Sequence, residues 1–146
     1  MTFLRFLSSA SVSVALLLAL AACGGGGEDA PPPAAAPPTG LQPTLASIQV
    51  NVFTPSCAKA GCHMGATAPF GLRLEPGLSW QNLYLMASQG TSPARVIPMD
   101  PDGSFLIQKL EGPLVGARMP GDGPPYLQQA TIEVIKQWIQ NGALDN

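Results

Sequence analysis

The sequence predicts an all-α domain of about four short helices joined by long Gly/Pro-rich loops. Two observations support this. Where the apolar residues show a period it is helical, and the loops between the periodic stretches carry no alternating β pattern. Between the periodic stretches lie loops dense in glycine and proline, which stop helices and keep them short. Few aromatics and few charges complete the composition, so the core is expected to be thin.

Four segments carry the helical period. In "LASIQVNVF", Leu45, Ile48 and Val52 fall on one helical face, although the β-formers Val50 and Phe53 keep a strand reading open. "SWQNLYLM" reads as a short helix capped by Ser79, with Trp80, Leu83 and Tyr84 inward. "GSFLIQKLEG" has Ser104 as N-cap, apolar Phe105, Leu106 and Leu110, and Gly112 as its stop. The clearest helix is "QQATIEVIKQWIQNGA". There Ile132, Ile135, Trp138 and Ile139 share a face, and Gly142 suits the position just beyond the helix end.

Ahead of this domain the chain changes character twice. Residues 1–22 have one basic residue, Arg5, then an apolar run and small residues, the layout of a secretory signal peptide, with a retained single-span anchor as the alternative that the brief run disfavours. The stretch Leu20-Ala21-Ala22-Cys23 resembles the lipobox of bacterial lipoproteins. The resemblance implies that Cys23 is lipidated and becomes the first mature residue. Several acyl chains make such anchoring stable where one does not. Gly24 rather than Asp after the cysteine favours the outer membrane by the same resemblance. Residues 23–42 then form a tether. The Gly24–Gly40 stretch holds five prolines and no aromatic or branched aliphatic residue, so it cannot bury enough surface to offset its ordering entropy. The domain proper is residues 43–146. Removing the signal takes Arg5 and leaves six basic against nine acidic residues, a formal charge of −3. No basic field is present to attract nucleic acid.

The candidate chemistry lies in "CAKAGCH". Cys57 and Cys62 are the only cysteines besides Cys23, and His63 is the only histidine. In an oxidising compartment two thiols this close are expected to pair with each other or to be capped. Covalent haem attachment needs two thiols for the vinyl groups and an imidazole below the iron. These three residues have the right types in the right order. The four intervening residues, Ala58 to Gly61, replace the usual two and must bulge outward, which their small or flexible side chains allow, with Lys59 pointing to solvent. Zinc fits poorly, because two cysteines and one histidine leave the fourth position open. The long loops of the domain also need a large apolar body to pack against, and one covalent haem c would serve.

With no second histidine, the opposite face of the iron calls for a thioether. Met64 adjoins His63, and Met86 ends a helix whose face looks like core. Met99, in "VIPMDPDG", and Met119, in "GARMPGDGPPY", occupy loops, where ligands are commonly presented. Met119 is preferred, since Pro120 stiffens its loop, and Met99 is the alternative.

From "FTPSCAKAGCH" through "ARVIPMDPDGSFLIQKLEG" and "ARMPGDGPPYL" to "IEVIKQWIQNGA", the domain resembles a single-domain class I cytochrome c. Modules of this kind occur in bacterial secreted proteins and lipoproteins. The likeness implies a cytochrome c-like fold in which the helix before the attachment motif crosses the terminal one, so that Ile48 and Val52 meet Ile135, Trp138 and Ile139. It also implies a membrane-tethered electron carrier and not an enzyme, because His63 and Met119 together leave the iron no open position. The partners would be redox proteins of the cell envelope and, through Cys23, the lipid bilayer facing the periplasm, with no nucleic acid. A rival reading is a haem-free interaction or scaffold lipoprotein with a Cys57–Cys62 disulfide. Another keeps the haem but leaves its methionine side open.

Overall fold

The computed structural model describes residues 40–88, 93–112 and 116–146. The expected signal peptide, Cys23 and the tether up to residue 39 lie outside the described residues. The described residues are all-α, with no strand beyond three isolated bridges at Tyr84–Val96, Ala87–Ala94 and Ile97–Asp100. No described helix is long and apolar enough to cross a membrane.

Helix α1, Leu45–Ile48, starts at Thr44, whose extended backbone leaves its hydroxyl free to accept the Ser47 N–H at 3.3 Å. Asn146 also reaches this end, its backbone oxygen accepting from Ala46 N at 2.6 Å and its side chain from Leu45 N at 3.1 Å. The two ends of the domain are thereby tied together. Past Ile48 the helix widens into π-helical turns over Gln49–Cys57, with Pro55 inside. Proline cannot donate, and in α geometry its ring would meet the carbonyl four residues back. The wider turn accommodates both constraints, closing with Ala58 N–H on Phe53 O at 2.7 Å. The helical reading therefore prevails over the strand one. Val50 is 70% exposed while Leu45, Ile48, Val52 and Phe53 are buried.

Helix α2 spans Ser79–Leu83, and its cap corrects the sequence reading. Leu78, not Ser79, is the N-cap residue, and it makes no side-chain cap bond. Ser79 is buried inside the first turn, where its hydroxyl donates to the Gln49 side chain and lies 3.2 Å from Glu75 O. Leu83 is fully buried, but Trp80 and Tyr84 are only partly so, stacked with centroids 4.6 Å apart. Met86 is exposed rather than part of a core face.

Helix α3, Phe105–Glu111, does begin after Ser104 and end at Gly112. The Ser104 hydroxyl, however, serves the preceding loop instead of the helix, accepting from Ile97 N at 2.8 Å and donating to Asp100 O at 2.7 Å. Helix α4, Gln129–Gln140, buries Ile132, Ile135, Trp138 and Ile139. It ends in a Schellman turn: Gly142, at φ +97°, donates to Ile139 O, and Ala143 donates to Trp138 O, both at 2.9 Å. Both indoles fasten this turn, Trp80 on Ala143 O and Trp138 on Leu144 O, each at 2.8 Å. Ile48, Val52, Ile135, Trp138 and Ile139 lie in one core cluster with Leu83, Val96 and Ile107.

Candidate functional site: one apolar cavity

Beside this core lies a cavity of about 570 Å³, within the range of about 300–1,000 Å³ usual for small-molecule and cofactor pockets. Cys57, at the end of the π-helical segment, lines it with Cys62, His63 and Met119. Helix α3 supplies another wall through Phe105, Leu106 and Leu110. That explains why Phe105 and Leu106 are only half-buried: they face the cavity and not the close-packed interior.

The loop between the cysteines is an ordered turn. Lys59 N donates to Cys57 O at 3.0 Å, Cys62 N to Lys59 O at 2.9 Å, and His63 N to Cys57 O at 3.0 Å. Gly61, at φ +78°, takes a backbone conformation that side-chain-bearing residues seldom adopt. The turn thus puts Cys57, Cys62 and His63 on the same wall despite the four residues between the thiols.

His63 is oriented by the backbone. Its Nδ1 lies 3.2 Å from Leu72 O. A carbonyl only accepts, so Nδ1 carries the proton and Nε2 keeps a free lone pair. Burial pushes the imidazole below its ordinary pKa, against the raising effect of the Leu72 bond. The ring is therefore held in the neutral, ligating form. Cys57 is pushed up to about 11, chiefly by burial, with Lys59 opposing and Asp122 and Cys62 adding to the rise. A thiol so raised stays protonated near neutrality, which is unsuited to a nucleophilic cysteine.

Met119 is half-buried, its N–H donating to Lys109 O at 2.8 Å, so helix α3 positions its loop. Met99 is elsewhere. It is 69% exposed, absent from the cavity wall, and bonded through its N–H to Ile139 O at 2.8 Å. Met64 and Met86 are exposed and also lie off that wall.

Arg95, Lys109 and Asp122 are cavity residues that the sequence reading did not single out. Arg95 is 7% exposed and has no acidic partner among the described residues. Its guanidinium donates to Asn82 O at 2.9 Å and Phe70 O at 2.7 Å. Burial depresses its pKa without making it neutral. No carboxylate marks it in sequence, and its two carbonyl partners are 13 and 25 residues away. Lys59 does not simply point to solvent but pairs with Asp122 at 3.1 Å. No family model, curated protein or solved structure matches the chain.

Proposed function

We propose that the chain is a membrane-tethered c-type cytochrome that carries electrons and is not an enzyme, with the cytochrome c-like fold its motifs resemble. The observation that carries this reading is the convergence of Cys57, Cys62, His63 and Met119 on one apolar cavity. The residues present fit a covalent haem. Two thiols stand beside an imidazole with a free Nε2, a thioether shares the cavity, and apolar side chains form the rest of much of its wall. Bound there, haem would supply a one-electron couple at iron.

The chain's own residues do the remainder. Cys57 and Cys62 would hold the group through thioether bonds. The Leu72 carbonyl fixes the tautomer and tilt of His63, keeping Nε2 available to iron. Met119 would be the second residue to hold the iron and Met99 is set aside, because of the two only Met119 lines the cavity. Phe105, Leu106 and Leu110 would keep water from a group bound there, and a thioether ligand in such a site favours a higher potential than two histidines would. Arg95 and Lys109 place positive charge on the wall, suited to the carboxylates of a haem. Cys23, acylated, would anchor the protein to the cell envelope facing the periplasm, with the outer membrane favoured and redox proteins as partners.

The test is a dithionite-reduced absorption spectrum of the periplasmically exported domain. A sharp α-band is expected, and its absence would sink the reading. In the ferric protein a weak band near ~695 nm is expected from iron–sulfur ligation. It should vanish in Met119→Ala and persist in Met99→Ala.

A further inference from the structure

We propose that Lys59 and Asp122 form a clasp that closes the Met119 loop over the cavity, making Lys59 a positioning residue for the Met119 sulfur. The clasp stands on geometry alone; only the consequence for a metal ligand rests on the function proposed above.

The loop 116–127 has two sides. Towards helix α3 it is held three times: Met119 N on Lys109 O at 2.8 Å, Arg118 Nε on Leu110 O at 2.7 Å, and the Lys109 ammonium on Ala117 O. Arg118 also stacks over the Tyr126 ring at 4.4 Å, bracing the loop internally. Towards the cysteine loop, among the described residues, it makes one polar contact, the 3.1 Å Lys59–Asp122 pair. Gly61 and Cys62, close to Lys59 in the chain, line the cavity, and so do Gly121 and Asp122 of the facing loop. The pair therefore spans the rim between the segment that carries the thiols and the segment that carries the thioether.

This gives the four-residue spacing a physical purpose. The turn from Ala58 to Gly61, closed by its own backbone bonds, holds Lys59 outward at the rim, where it reaches an aspartate 63 residues on. Both partners are partly exposed, at 43% and 59%. Such a pair adds little to global stability. Opening one loop is a smaller event than unfolding, and a modest bias on it changes the open population directly. Thioether sulfur, a weak ligand, would register that bias. The attraction is screened, so the clasp loosens as salt rises.

The experiment uses the exported full-length protein, with intact mass recorded first, and the variants Lys59→Gln, Asp122→Asn and the double charge swap Lys59→Glu/Asp122→Lys. Two readouts are taken. One is the rate at which the ferric protein takes up imidazole. The other is amide hydrogen exchange across residues 116–123, which reads the loop whether or not haem is bound. Each single variant should speed both by about two- to fivefold at low salt, the scale of an exposed pair. About 0.5 M salt should bring the wild type towards the single variants. The charge swap should recover most of the wild-type rate. Exchange that is unchanged in the single variants, insensitive to salt, or as fast in the swap as in either single variant would overturn the clasp. So would a response to Lys59→Gln with Asp122→Asn silent, which would assign Lys59 to the Cys57 thiol alone. A mass without haem, with exchange behaving as expected, would leave the clasp standing and remove the cytochrome reading.

Discussion

Helix α4 with its terminal turn and the wall formed by residues 57–63 and 116–122 are built in opposite ways. The first closes on itself. Ile132, Ile135, Trp138 and Ile139 are buried, the Schellman turn satisfies the last carbonyls, and Trp80 and Asn146 tie neighbouring segments to the same end. The second encloses about 570 Å³ between loops, and its residues are half-buried or exposed. Helix α3 belongs to both: Ile107 is buried in the core, while Phe105 and Leu106 face the cavity. One end of the domain is thus complete with its own side chains, whereas the other leaves the cavity that the proposed haem would fill.

The comparison can be broken by changes confined to one side. The largest effect is expected from His63→Ala. It should abolish the low-spin haem-bound form, because the chain has no other imidazole, and leave helix α4 folded. A six-coordinate low-spin spectrum in that variant would remove His63 as a ligand. Trp138→Ala acts on the closed side. It empties a core position that is 1% exposed and should cost about 3–5 kcal/mol in a denaturant titration. A loss under about 1 kcal/mol would mean that the terminal helix is not the stabilising element.

Arg95→Met tests the boundary between the two regions. It removes both donors from the carbonyls of Asn82 and Phe70, and about 1–3 kcal/mol of stability should go with them. In the haem-loaded protein the loss of a wall cation should also lower the midpoint potential, and an unchanged potential would place Arg95 away from the redox centre. The smallest change is expected from Thr44→Ala, which takes the cap from the Ser47 N–H. About 1 kcal/mol is the usual cost. The Asn146 bonds at the same helix end should hold the loss there.

The two regions also differ in how far they could be read from sequence. Helix α4 was legible in full, face and stop alike, because a 3.6-residue period and a glycine at the left-handed position are local signals. The apolar face from Leu45 to Val52 was less legible, since Val50 and Phe53 left a strand reading open, and its widening into π turns was not legible at all, because apolar spacing does not set the hydrogen-bond register around Pro55. The Cys57–Cys62–His63 grouping is contiguous and visible by eye. The choice between Met119 and Met99 is three-dimensional, as both sit in loops beside prolines and only one loop folds back onto the cavity. Ser79 looked like a cap because serine often is one, yet a buried Gln49 side chain claims its hydroxyl. Arg95 and the Lys59–Asp122 pair depend on contacts between segments far apart in the chain, which no local pattern announces.

The most direct measurement is the intact mass of the exported, anchor-free domain purified without reducing agent. A covalent haem on Cys57 and Cys62 predicts a mass higher than the polypeptide by about 616 Da, unaltered by denaturation. A mass about 2 Da below that of the reduced chain would show a Cys57–Cys62 disulfide instead and contradict the cytochrome reading.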